Sequence, residues 1–211
     1  MRAKILIERV VIKIGGATLF QTSGFEAELR SLLANYENTQ IWILVGGGDL
    51  VEAMRTAHKI YPVLDHEEMH WRCVELLDYT WNMARDIFTP GVAIANRENL
   101  DRCKQFRELP EVYWVRVQSF YNRFEREGFP DWWRPESSWN TTTDALAWLL
   151  AKIIDADRVI LLKQCDCEAL SSLDEAANRG VIDSELARLY ALDRSERPIV
   201  EFVSSKLNTR S

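Results

Sequence analysis

Short apolar runs alternate along the chain with longer stretches in which apolar residues recur at helical spacing. Runs near 5–14, 41–45, 91–95, 112–117, 158–163 and 198–203 are dominated by Val, Ile, Leu and aromatic residues and read as strands. Stretches near 24–36, 48–59, 66–87, 97–107, 119–127, 143–155, 172–179 and 184–191 read as helices. In 66–87 the period turns Met69, Val74, Leu77 and Trp81 inward. Several strands are apolar throughout and helices separate them, which predicts an α/β fold with a mainly parallel central sheet covered on both faces. Ligands in such sheets sit at the carboxyl ends of the strands.

Two predicted strands end at such an edge in glycines. Val10-Val11-Ile12-Lys13-Ile14 runs into Gly15-Gly16, and Ile41-Trp42-Ile43-Leu44-Val45 runs into Gly46-Gly47-Gly48. Without a Cβ, backbone N–H groups approach an anion closely, and a following helix turns its positive end to the same place. An ordinary strand-to-helix turn does not require three consecutive glycines, so the second loop reads as one pressed against a ligand. Lys13, just before the first glycine pair, is placed to reach phosphate oxygens, and fixed cations and N–H dipoles stabilise a transferring phosphoryl group. Neither loop has P-loop or dinucleotide-binding spacing. The plainer alternative for Lys13 is a strand-end side chain reaching solvent.

A third motif, Asn140-Thr141-Thr142-Thr143-Asp144, precedes the apolar helical run Ala145-Leu146-Ala147-Trp148-Leu149-Leu150-Ala151. Thr141 and Asp144 have capping-box spacing, with Asp in place of the usual Glu or Gln. Asp144 is therefore either a helix cap or a carboxylate that orients lysine ammoniums around a reacting group.

Composition narrows the classes. The 211 residues are 47% hydrophobic and 27% charged, with no linker, low-complexity stretch or repeat, which predicts a single domain over 1–211. A net charge of -6 argues against nucleic-acid and anionic-membrane partners. No apolar stretch reaches spanning length, and Glu8-Arg9 cuts short the first one. The four cysteines do not form a disulfide framework for a chain of this size, so a reduced cytoplasm is expected.

With these motifs in order, the chain resembles the amino acid kinase superfamily, which includes acetylglutamate, aspartate, uridylate, carbamate and isopentenyl phosphate kinases. The resemblance is carried by Val11 to Gly16, Ile43 to Gly48, Asn140 with Asp144-Ala145-Leu146-Ala147, and Ala156-Asp157-Arg158-Val159-Ile160-Leu161-Leu162. It implies a three-layer α/β/α sandwich, often dimerised through a long helix. It also implies ATP with Mg2+ as donor and a small-molecule acceptor. By position, Lys13 would contact the transferring group, with Gly15 and Gly16 cradling it. Gly46, Gly47, Gly48 and Asn140 would hold the acceptor, Asp144 would organise the lysines, and Lys163 and Asp166 would lie at the nucleotide loop. Short length and His70-Trp71 early in a long helix most resemble the aminomethylfuranyl-methyl phosphate kinases of methanofuran biosynthesis, which places His70 against substrate.

Departures accompany the match. Ala17 stands where the family often has Ser, and Lys163-Gln164-Cys165-Asp166-Cys167 replaces a common Thr-Asp-Val-Asp-Gly run. The second downstream catalytic lysine has no clear counterpart, so Lys163 substitutes for it or the role is missing. The rival from another class is a catalytically weak nucleotide- or oxyanion-binding protein on the same fold. A further signal, His66-Glu67-Glu68-Met69-His70, matches the zinc-protease spacing, but no histidine follows, so a third ligand would have to be a carboxylate such as Glu75, Asp78 or Glu98. The same residues read equally well as an amphipathic helix. Cys165 and Cys167 make a Cys-x-Cys pair with no matching second pair.

Overall fold

Central to the computed structural model is a six-stranded sheet in the order β3-β4-β2-β1-β5-β6. Residues 7–21, 24–108, 110–165 and 172–204 are described. The strands are β1 (Glu8–Ile14), β2 (Thr39–Val45), β3 (Val92–Ile94), β4 (Glu111–Val115), β5 (Arg158–Lys163) and β6 (Ile199–Ser204). Each pairs in parallel with its neighbours. The predicted strands are thus all present, and the mainly parallel sheet is parallel throughout the described residues.

The helices are α1 (Ala17–Gln21), α2 (Phe25–Leu33), α3 (Gly48–Ile60), α4 (His66–Ile87), α5 (Arg97–Cys103), α6 (Arg123–Glu127), α7 (Thr143–Ile154), α8 (Leu173–Asn178) and α9 (Ser184–Leu192). Three expectations are corrected. The stretch 97–107 stops at Cys103, and 119–127 divides into a 3-10 turn at Val117–Ser119 and the short α6. The short α1 was not anticipated, because five residues carry too little periodicity to register. Tyr121 is fully buried between those two pieces, whereas Phe124 is exposed.

Two cores flank the sheet. On one face Val11, Trp42, Leu44, Val159 and Leu161 pack with α7, α9 and the first half of α4. On the other, Val10, Ile12, Ile14, Ile41, Ile43 and Ile160 pack with α2 and the second half of α4. This is the sheet covered on both faces that the apolar strands predicted, and the three-layer sandwich that the resemblance implied. As expected, α4 buries Met69, Val74, Leu77 and Trp81, and it does so by serving one layer with Val74 and Leu77 and the other with Trp81.

The chain order fixes where a site can form. From β1 the sheet grows one way to β2 and β4, and the other way to β5 and β6. The loops leaving β1, β2 and β5 therefore diverge at one edge and leave a crevice at their carboxyl ends.

Candidate active site

Strand alternation assembles the charged cluster. Side chains two apart share a face, so Arg9, Val11 and Lys13 of β1 lie on the α7 side, as do Val159, Leu161 and Lys163 of β5. The two strands are neighbours, with Lys13 opposite Leu161, so Lys163 follows on the same face two residues later. Arg9 reaches the far end of α7, where its guanidinium donates to the carbonyl of Ile154. Lys13 and Lys163 reach the near end, where Asp144 sits in the first turn.

Asp144 is held between the two ammoniums. Lys13 Nζ is 2.9 Å from Oδ1 and Lys163 Nζ is 2.5 Å from Oδ2. Asp144 is 3% exposed and Lys13 is 8% exposed. Burial alone would raise the Asp144 pKa, but the charges of Lys13 and Lys163 outweigh it and hold the carboxyl below its ordinary range. Burial lowers the Lys163 pKa and nearby Lys13 adds to this, against the opposing pull of Asp144. The arrangement confines two cations around one ionised carboxylate, at the strand ends where a polyanion would be met.

The capping account of Asp144 does not hold. The N-cap of α7 is Thr142, whose hydroxyl accepts from the Asp144 N–H at 3.3 Å. Thr141 instead donates its hydroxyl to the carbonyl of Glu136 at 2.6 Å. The capping-box spacing was satisfied in sequence, but the helix starts one residue later, which frees the Asp144 carboxylate for the lysines. A second carboxylate at this helix start, Asp183, belongs to no motif that the sequence displays. That carboxylate caps α9 through Leu186 N at 2.6 Å and also accepts from Thr142 N at 3.0 Å and Ala145 N at 3.1 Å. It ties the starts of α7 and α9 together. Burial, and then the charge of Asp144, push its pKa up to about 6 against the pull of those hydrogen bonds.

The glycine loops meet each other. A Cβ on Gly16 would lie 2.2 Å from both the Gly46 carbonyl oxygen and the Gly48 nitrogen. Gly48 has φ +52, and a Cβ there would lie 2.5 Å from the Gly16 carbonyl carbon. Their requirement for glycine is thus met inside the protein, which corrects the expectation that the triple glycine reports a ligand. Gly15 differs, since a Cβ there would have nothing closer than 4.0 Å. Beside these loops α3 begins at Gly48 with no side-chain cap, so its positive end is open toward the crevice.

Together these elements enclose a cavity of about 390 Å³ lined by Lys13, Gly15, Gly16, Gly46, Gly47 and Gly48 on the loop side. Its other walls come from α3 (Val51, Glu52, Arg55), α4 (His70, Cys73, Val74, Leu77), α7 (Thr143, Leu146) and Ser138, Trp139, Thr141 and Thr142. Lys163 is not among the lining residues and stands behind Asp144. Asn140 is exposed and likewise absent from the lining. His70 does line the cavity, but both of its ring nitrogens are engaged. Nδ1–H donates to the Ser138 carbonyl at 3.1 Å, which leaves Nε2 to accept from the Tyr121 hydroxyl at 2.9 Å. Burial lowers its pKa to about 4, so the ring is neutral. This makes His70 a strut between α4 and the cavity's outer segment.

The same geometry disposes of the zinc-protease signal. His70 has no nitrogen left for a metal, and no group of three His, Cys, Asp or Glu among the described residues could hold one. Cys165 is exposed; Asp166 and Cys167 lie outside the described residues. No helix among the described residues is long and apolar enough to cross a membrane.

No family model and no curated protein matches the sequence. Solved structures do match. Uridylate kinase from Archaeoglobus fulgidus aligns at TM-score 0.57 and 18% identity, over 93% of this chain and 92% of that one. UMP kinase from Ureaplasma parvum aligns at 0.55 and 14%, over 93% and 90%. Aspartate kinase from Synechocystis aligns at 0.53 and 14%, over 96% of this chain and 41% of the other. The chain has the amino acid kinase fold. At these identities the likeness carries architecture, and what the cavity does rests on its residues. Within the amino acid kinase fold described here, Lys13, Asp144 and Lys163 come together, Gly15, Gly16 and Gly46 to Gly48 join them, and Asn140 stands apart.

Proposed function

We propose that the protein is an ATP-dependent small-molecule kinase that transfers the γ-phosphoryl group to a small anionic acceptor. The observation that carries this reading is Asp144 clamped between Lys13 and Lys163 beside a cavity at the diverging strand ends. Phosphoryl transfer asks little covalent chemistry of a protein. It needs the donor and acceptor oxygens in line and the charge between them offset. Lys13 faces the cavity and would touch the acceptor side of the transferring group, while Lys163, behind Asp144, would meet the donor side. Asp144 keeps both ammoniums aimed.

The open start of α3 and the N–H groups of the glycine loops would bind the acceptor's anionic end. An acceptor that is already a phosphate is ionised at neutral pH and needs no general base, in keeping with a site of cations and dipoles. The donor would enter as Mg-ATP. Asp144 is occupied by lysines and Asp183 by helix N–H groups, so magnesium would be carried on the donor's phosphates. Within this reading the finer assignment is an aminomethylfuranyl-methyl phosphate acceptor in one-carbon cofactor biosynthesis.

The test is ADP release from Mg-ATP with aminomethylfuranyl-methyl phosphate, isopentenyl phosphate, UMP, aspartate, acetylglutamate and carbamate, with Lys13→Ala as control. Turnover with one acceptor, lost in the variant while its circular dichroism is unchanged, is the expected result. ATP binding by calorimetry with no turnover on any acceptor would instead make the protein a binding module. Absence of ATP binding would overturn the reading.

A further inference from the structure

The cavity has two unlike sides. Lys13, the glycine loops and the start of α3 with Asp49 make one polar, whereas Val51, Val74, Leu77, Leu146 and the indole of Trp139 make the other apolar. Trp139 belongs to neither core of the sandwich. It is half-buried on an irregular segment, yet both its N–H and its ring face have partners. Its Nε1–H donates to Nδ1 of His58 at 2.7 Å, and the Arg55 guanidinium lies 4.8 Å from its ring centroid.

His58 is built to receive that bond. It sits in the last turn of α3 and is 5% exposed. Its Nε2 lies 3.0 Å from the carbonyl oxygen of Leu64. A carbonyl can only accept, so Nε2 carries the hydrogen and Nδ1 keeps a lone pair for the indole. One residue before Trp139, the carbonyl of Ser138 is fixed in the same manner by His70. Two imidazoles, one from α3 and one from α4, thus pin the outer wall of the cavity. Packing of the cores does not call for this, since the indole they fix faces the cavity.

Taking the cavity to be the acceptor site of the preceding reading, we propose that His58 is a positioning residue. It fixes Trp139 as the wall against which the apolar body of a phosphate monoester rests while its anionic head meets Lys13 and the glycine loops. A monoester with an apolar body gains from both sides of the cavity. A wholly polar acceptor leaves the Trp139, Leu77 and Leu146 surfaces unused.

The experiment follows the indole N–H signals of the full chain by nitrogen-15 NMR, with the Trp139 signal assigned through Trp139→Phe. Benzyl phosphate and inorganic phosphate are the probes. In the wild type, benzyl phosphate should shift the Trp139 signal and bind on the order of tenfold or more tighter than phosphate, from the buried ring. In His58→Ala that preference should collapse and the Trp139 N–H should exchange faster with solvent. His58→Asn, whose side-chain oxygen can accept from the indole, should restore both.

Wild-type preference in His58→Ala, or a Trp139 signal indifferent to benzyl phosphate, overturns the proposal. Should His58→Ala fail to fold, Trp139→Ala decides, because it leaves His58 in place: loss of the preference supports the wall and its retention overturns it. The preference can hold in a protein that never releases ADP, and that result sinks the kinase reading alone. Turnover of a polar acceptor without the preference sinks this proposal alone.

Discussion

Asp144 and Asp183 lie at the same helix start and are driven in opposite directions. Asp144 meets two lysines and titrates below its ordinary range, whereas Asp183 meets N–H groups and the Asp144 charge and titrates near 6. Both carboxylates are needed for the geometry, since Asp183 bonds the N–H of Ala145, the residue next to Asp144. The helix is seated by one and its charge is used by the other.

For Asp183 the shift is upward from 3.8 to about 6. The proton-linked stability it gives is complete below about pH 4 and is lost as pH rises through about 6. Asp183→Asn removes this dependence. The unfolding free energy of the variant relative to wild type should therefore move in the variant's favour by up to about 3 kcal/mol between about pH 4 and pH 7. Urea titrations across that range read the difference directly. A constant offset would show that Asp183 is not raised.

His70 predicts the opposite slope. Its pKa is lowered from 6.5 to about 4, chiefly by burial. The associated stability is present above about pH 6.5 and is lost as pH falls through about 4. His70→Gln should thus gain on the wild type by up to about 3 kcal/mol as pH drops over that range, on top of a fixed loss from the Tyr121 and Ser138 bonds. Parallel curves for the two proteins would mean that His70 is not held neutral.

Asp144→Asn leaves two confined ammoniums without their anion, and breaking such a pair is destabilising by about 3 kcal/mol. Lys13→Met made alone should also lower stability. Made together with Asp144→Asn, it should lower stability by less than the sum of the two, with a coupling on the order of 1–3 kcal/mol in a double-mutant cycle. Additive losses would remove the ion pair from the account.

Gly15 and Gly16 separate a ligand role from a packing role. Gly16→Ala drives a Cβ into the Gly46–Gly48 backbone and should unfold the protein or lower its melting temperature steeply. Gly15→Ala meets only ordinary contacts at 4.0 Å, so its melting temperature should stay near that of the wild type while anion binding weakens. Thermal melts and phosphate titrations of the two variants give the comparison. Equal thermal losses would contradict it.

By itself the sequence determined the layers and most of the site's parts. Apolar strands such as Ile41–Val45 have few alternatives to the middle of a covered sheet, and the period-two pattern already commits Lys13 to the face of Val11. The glycine pairs marked where strands end. What local pattern could not supply was partnership across long chain separations. Asp183 is 38 residues from the Ala145 N–H that it accepts, and His58 is 81 residues from the indole it holds.

The N-terminus of α7 shows the limit most clearly. Thr141 has the capping-box spacing in sequence, but the cap is Thr142, whose N–H and hydroxyl donate to Asp183, brought in by α9. The glycines were legible as a demand for close approach, but their partner was the neighbouring loop, a contact that exists once β1 and β2 lie side by side. Periodicity and turn chemistry act within a few residues and fix elements. Hydrogen bonds and ion pairs between elements depend on their docking, and only the tertiary structure decided those.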